Sequence, residues 1–69
     1  MTDLQQAAEY KAQGNAAFKE KKWEEAIQHF TKAIEYNPND HVFYSNRSAS
    51  FLNSGKHQEA LIDAEKCVE

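Results

Sequence analysis

Residues 10–38 carry two apolar stripes at helical spacing on either side of a short polar break, and few folds accept that pattern. Tyr10, Gly14, Ala17 and Phe18 share one face of the first segment. Ala26, Ile27, Phe30, Ala33 and Ile34 share one face of the second. Offsets of three, four and seven are those of amphipathic helices rather than strands. With only Lys19-Glu20-Lys21-Lys22 between them, the two helices must fold back as an antiparallel hairpin. Gly14 and Ala26 are small enough to let the backbones approach, and the expectation is that they face each other. Phe18 and Phe30 then fill the space beside them.

The flanking residues set the ends of the elements. Thr2-Asp3-Leu4-Gln5 is a capping-box pattern, which predicts a first helix from about Asp3 to Lys21. Gly14-Asn15 in its middle costs roughly 1–1.5 kcal/mol of helix propensity relative to alanine. A second helix is expected from about Trp23 to Tyr36, with Glu24 and Glu25 in its first turn but no strong N-cap before it. Asn37-Pro38 ends it, because the residue before proline avoids helical dihedrals and Pro38 cannot donate to the ladder. Asp40 offers an N-cap for a third helix, about His41 to Ser54, and Gly55 suits the left-handed position beyond it. A fourth helix covers about Gln58 to Val68, with Ala60, Leu61, Ala64, Cys67 and Val68 as its stripe. Cys67 at that spacing reads as a small core residue. The class is all-α, four helices in one unit over residues 1–69.

The two halves repeat. A shift of 34 residues carries Tyr10 onto Tyr44, Phe18 onto Leu52, Glu25-Ala26-Ile27 onto Glu59-Ala60-Leu61 and Lys32-Ala33-Ile34-Glu35 onto Lys66-Cys67-Val68-Glu69. A helix-turn-helix period of that length resembles the tetratricopeptide repeat. The first repeat, about Ala7 to Asp40, answers the family pattern with Tyr10, Gly14, Phe18, Ala26, Phe30, Ala33 and Pro38. It departs at Gln13 and Ala17. The second, about His41 to the end, offers Tyr44, Phe51, Ala60 and Cys67. It departs at Ser48, where glycine is usual, and at Ala64, where an aromatic is. It also stops short of the final proline.

A narrower resemblance lies in Lys11-Ala12-Gln13-Gly14-Asn15 and in Asp40-His41-Val42-Phe43-Tyr44-Ser45-Asn46-Arg47-Ser48-Ala49. Both are similar to the first tetratricopeptide domain of the chaperone-organising Hop/Sti family. The resemblance implies a carboxylate clamp that grips the C-terminal Glu-Glu-Val-Asp tail of cytosolic heat-shock chaperones. It carries the first three clamp positions onto Lys11, Asn15 and Asn46, and places the last two beyond Glu69.

The residues themselves lend support. Lys11 and Asn15 are four apart and share a helix face. Asn15 and Asn46 both stand mid-helix, where asparagine is a poor helix former. The plainer alternatives are a solvated Lys11, and asparagines that tie neighbouring helices together. Arg47 takes an apolar repeat position, and an inter-helix or solvent role is expected for it.

Composition narrows the function classes. A formal charge of −3 argues against a general nucleic-acid binder. Lys19, Lys21 and Lys22 are explained by the negative end of a helix dipole. No apolar run reaches a membrane span, and no signal-peptide core opens the chain. A single cysteine permits no internal disulfide, and these features together fit a reducing, cytoplasmic setting. No phosphate loop, nucleophile–base pair or metal cluster stands out, so neither an enzyme nor a cofactor or metal site is expected. His29, His41 and His57 share no ligand spacing and suit loops and surface. Glu24, Glu25 and Asp63 read as a solvated face. The sequence breaks off inside a repeat, so truncation is expected. Self-association through the uncovered α-helical stripe at the C-terminal end, with Phe51 and Leu52 beside it, is the alternative to peptide binding.

Overall fold

The computed structural model describes residues 2–68, with side chains as far as Asp63. Four helices follow one another: α1 (Asp3–Lys19), α2 (Trp23–Tyr36), α3 (His41–Asn53) and α4 (His57–Val68). The α1 capping box is complete. Thr2 Oγ1 accepts from the Gln5 amide at 3.2 Å, and Gln5 Oε1 accepts from the Thr2 amide at 2.9 Å. Asp40 Oδ1 caps α3 by accepting from the Val42 amide at 3.0 Å. No side chain caps α2.

Helices α1 and α3 both end a residue or two earlier than their composition suggests, for one reason. Lys21 sits at φ 62° and Gly55 at φ 89°, and a left-handed residue breaks the ladder. The following amides then fold back, Lys22 N–H onto the Ala17 carbonyl at 2.9 Å and Lys56 N–H onto the Phe51 carbonyl at 2.8 Å. The two turns are the same turn one repeat apart, with glycine at one and lysine at the other. An L-residue in that region pays roughly 1–2 kcal/mol, against roughly 0.5–1 for the extra freedom glycine loses on folding. Lys21→Gly is therefore expected to raise stability by about 0.5–1 kcal/mol, read as a later urea midpoint at unchanged slope.

Helix α1 packs on α2, α2 on α3 and α3 on α4, so each hairpin lies against the next in a slab 34 × 29 × 13 Å. One buried cluster holds Ala17, Ala26 and Phe30 with Phe18 against it. Another holds Ala7, Ala33 and Phe43 with Tyr10 and Ile34. The expected pairing of Gly14 with Ala26 is corrected here. A Cβ on Gly14 would lie 2.6 Å from Phe30 Cε1, so the absent side chain makes room for the Phe30 ring. Ala26 packs instead among Ala17 and Phe30. One repeat later the sizes reverse, with Ser48 in the glycine's place and Ala64 in the phenylalanine's. Ser48 Oγ then donates to the Ala60 carbonyl at 2.7 Å, across the close approach of α3 and α4.

The expected α4 stripe is only partly a core. Ala60 is buried, whereas Leu61 is 63% exposed. The side chains of Ala64, Cys67 and Val68 lie outside the described residues.

Candidate functional site

Asn15 on α1 and Asn46 on α3 line one groove of about 270 Å³, together with Phe18, Phe30 and Ala49. The helical hairpins dictate this meeting. Gly14 turns its face to the Phe30 ring, and Asn15, the next residue around the helix, is directed outward beside it. On α3 the neighbouring Arg47 points toward α2 and α4, which leaves Asn46 on the groove side. Among the described residues neither asparagine amide has a hydrogen-bond partner, so neither ties helices together. Asn53 on the same helix differs, since its amide donates to the Ala49 carbonyl at 2.8 Å.

Lys11 does not line this groove. It is half-buried one turn nearer the N-terminus, on the α1 face that carries Asn15. No carboxylate among the described residues pairs with it. Lys22, Lys32 and Lys56 do have partners, in Glu20 at 3.5 Å, Glu35 at 3.7 Å and Glu24 at 3.3 Å. The groove thus has an apolar floor of aromatic rings and Ala49, two side-chain amides, and a cation one turn away. None of its lining residues is acidic. Amide and ammonium donors of this kind suit an anionic, hydrogen-bond-accepting ligand with a small apolar neighbour.

Two side chains stand elsewhere than expected. Asp63 is 3% exposed and is not part of a solvated face. Its carboxylate takes a two-pronged contact from Arg47, Nε at 2.7 Å and Nη2 at 2.8 Å. Arg47 Nη1 also donates to Thr31 Oγ1 at 3.2 Å, so the arginine does play an inter-helix role. The spacing carried a clue to Asp63: it is three residues after the buried Ala60, hence on the same face. His29 is on α2, half-buried, stacked on Tyr10 with centroids 6.3 Å apart. Tyr10 in turn stacks on Tyr36 at 5.8 Å. A shallow depression of about 440 Å³ on this side of α2 includes none of Lys11, Asn15 and Asn46. Among the described residues no group of three His, Cys, Asp or Glu could hold a metal ion. No described helix is long and apolar enough to cross a membrane.

The tetratricopeptide repeat pattern matches residues 7–40, from α1 to the turn before α3, and again residues 29–62, from α2 into α4. The chain belongs to the tetratricopeptide repeat family. This tetratricopeptide chain is 51% identical over 67 residues to the protein STIP1 homolog of Dictyostelium discoideum, covering 97% of the chain and 12% of that protein. It is 55% identical over 65 residues to heat shock protein STI1 of Saccharomyces cerevisiae, covering 91% of the chain and 11% of that protein. It is 49% identical over 63 residues to Hsp70-Hsp90 organizing protein 3 of Arabidopsis thaliana, again covering 91% and 11%. The chain therefore spans only 11–12% of the length of these curated relatives. Among solved structures, the Arabidopsis OM64 TPR domain superposes with a TM-score of 0.93 at 35% identity, over 94% of this chain and 54% of that one. Tandem helical hairpins stacked side by side are thus the tetratricopeptide arrangement.

Proposed function

We propose that this chain is a protein-interaction module of a co-chaperone adaptor. In this reading it grips the acidic C-terminal tail of cytosolic heat-shock chaperones, of the Glu-Glu-Val-Asp type, through Lys11, Asn15 and Asn46. One observation carries it: two asparagine amides from different repeats, with no hydrogen-bond partner among the described residues, line one groove whose lining holds no acidic residue. Relatives named as Hsp70–Hsp90 organizing proteins support it. The two amides donate to the terminal carboxylate and the peptide backbone, and the Lys11 ammonium neutralises the second charge. Each charge-assisted bond contributes about 1.5–3 kcal/mol. Phe18, Phe30 and Ala49 form a floor for the aliphatic side chain beside the carboxylate. The chain is then a binding module without chemistry of its own, working in the cytoplasm beside those chaperones.

Calorimetric titration with a tail peptide bearing a free or an amidated C-terminus tests this. The free peptide should bind and the amidated one should lose at least about tenfold in affinity, the equivalent of one charge-assisted bond. Affinity should be modest, because only three of the clamp positions implied by the resemblance fall within these residues. Lys11→Ala should weaken binding while the melting curve stays in place, since no described contact depends on its ammonium. Equal binding of both peptides would remove the clamp.

A second reading, self-association, is favoured by Leu52, Leu61 and Ile62, all exposed on α3 and α4. Ile27, one repeat before Leu61, is buried on α2, the helix that packs on both α1 and α3. By the repeat's own symmetry, the Leu61 face is the one a further helix would cover. The α1 of a second copy is a poor cover, because Glu9 stands where α3 has Phe43. That leaves two copies pairing their α3–α4 faces about a two-fold axis. Sedimentation velocity at micromolar concentrations should show a dimer that Leu61→Glu converts to a monomer. A folded, strictly monomeric parent chain would eliminate this reading.

A further inference from the structure

We propose that the Arg47–Thr31 hydrogen bond, with Asp63 behind it, is a positioning device that sets where Asn46 stands across the groove from Asn15. The inference rests on the peptide-binding reading above. The groove spans two hairpins, since Asn15 belongs to the first and Asn46 to the second. Its width therefore depends on how firmly α3 is referenced to the α1–α2 hairpin. Among the described residues, Arg47 Nη1 to Thr31 Oγ1 is the one side-chain hydrogen bond that runs from α3 to that hairpin. The other polar ties of α3 go elsewhere. Ser48 Oγ donates to Ala60 on α4, and Ser50 Oγ donates within α3 to the Asn46 carbonyl. Lys56 reaches Glu24, but from the loop after α3 and between exposed side chains.

The geometry of the bond is over-determined in a way its length alone does not require. Thr31 Oγ1 gives its proton to the Ile27 carbonyl at 2.7 Å, which leaves its lone pairs to accept from Arg47. The two-pronged contact with Asp63 fixes the guanidinium plane, because a planar fork binds a carboxylate in one orientation. The rings of Tyr44 and Phe51, a turn to either side on α3, each lie with centroids 5.7 Å from the guanidinium carbon. One side chain is thus held by α4, flanked by α3 and aimed at α2. Asn46 precedes it by a single residue, about 100° around the helix. A rotation of α3 that moved the Asn46 amide along the groove would break the fork or the Thr31 bond. Buried ion pairs of this kind stabilise little relative to apolar packing, and their best-attested use is to fix register.

Thr31→Val removes the acceptor while keeping the shape of the side chain, and leaves Arg47–Asp63 intact. Thr31→Ser keeps the acceptor. Residual dipolar couplings of the α1 and α3 amides report the angle between the hairpins, and the tail peptide reports the groove. The expected result is a changed inter-hairpin orientation and an approximately tenfold weaker free-carboxylate peptide in Thr31→Val, the equivalent of one misplaced charge-assisted bond. Thr31→Ser should match the parent in both, and all three proteins should melt cooperatively. Parent-like orientation and affinity in Thr31→Val would overturn the proposal. Should the parent chain itself fail to distinguish free from amidated peptide, the functional reading falls. The dipolar couplings then decide the positioning role alone: a changed orientation in Thr31→Val upholds it, and an unchanged one overturns it.

Discussion

Phe30→Ala is expected to leave the 69-residue chain without a cooperative melt at 25 °C. The ring is almost wholly buried, occupies the space that Gly14 leaves open, and packs on Ala17 and Ala26. Truncating a buried phenylalanine costs about 3–5 kcal/mol through lost transfer energy and the cavity left behind. A domain below about 70 residues rarely has more than about 3–5 kcal/mol in total, so one substitution spends the whole margin. The neighbours cannot collapse into the hole. Gly14, Ala17 and Ala26, which surround the ring, have no side-chain reach. Circular dichroism against temperature checks it, with Ala26→Leu as the comparison. That change overpacks the same cluster at roughly 1–3 kcal/mol and should melt early but cooperatively. If Phe30→Ala melts like the parent, the hairpin does not owe its stability to this contact.

The helices were legible because local chemistry and tertiary structure agree on them. The Thr2–Gln5 box, the Asp40 cap and the Pro38 stop act within a few residues, so sequence neighbours determine them. The early ends of α1 and α3 were less visible. Gly55 announces a left-handed residue, but Lys21 adopts the same conformation with nothing in its side chain to signal it. It does so because the repeat demands that turn, and the equivalence of positions 21 and 55 was the only available hint. At Gly14 the space is taken by the Phe30 ring rather than by Ala26, since periodicity says which face a residue is on but not which facing side chain fills the gap.

The groove shows the same division. Two mid-helix asparagines were conspicuous as poor helix formers, and the 34-residue offset placed them on corresponding helices. That Phe18, Phe30 and Ala49 complete the lining depends on how one hairpin leans on the next, which no single-helix pattern encodes. Asp63 was the hardest to see. An aspartate among Gln58, Glu59 and Glu65 looks like part of a polar face; its spacing from Ala60 places it inward, but the partner that makes that tolerable lies 16 residues away on another helix.

That partnership leads to the second large effect. Arg47→Met should cost roughly 3–5 kcal/mol, because it strands an Asp63 carboxylate that burial isolates from water. Asp63→Leu should cost less, about 1–3 kcal/mol. The asymmetry follows from exposure: the Arg47 side chain retains 19% of its surface and Asp63 only 4%. A long flexible arm can carry its charge outward to solvent, and a short carboxylate on a packed helix cannot. The double variant Arg47→Met/Asp63→Leu should recover most of the loss, since two apolar side chains leave no charge unpaired. Urea unfolding of the four proteins closes a double-mutant cycle, and the coupling should be strongly favourable. An Arg47→Met chain no less stable than Asp63→Leu would mean that Asp63 finds water or another donor once Arg47 is gone. The pair would then be an exposed one in solution, and too loosely held to reference one hairpin to the other.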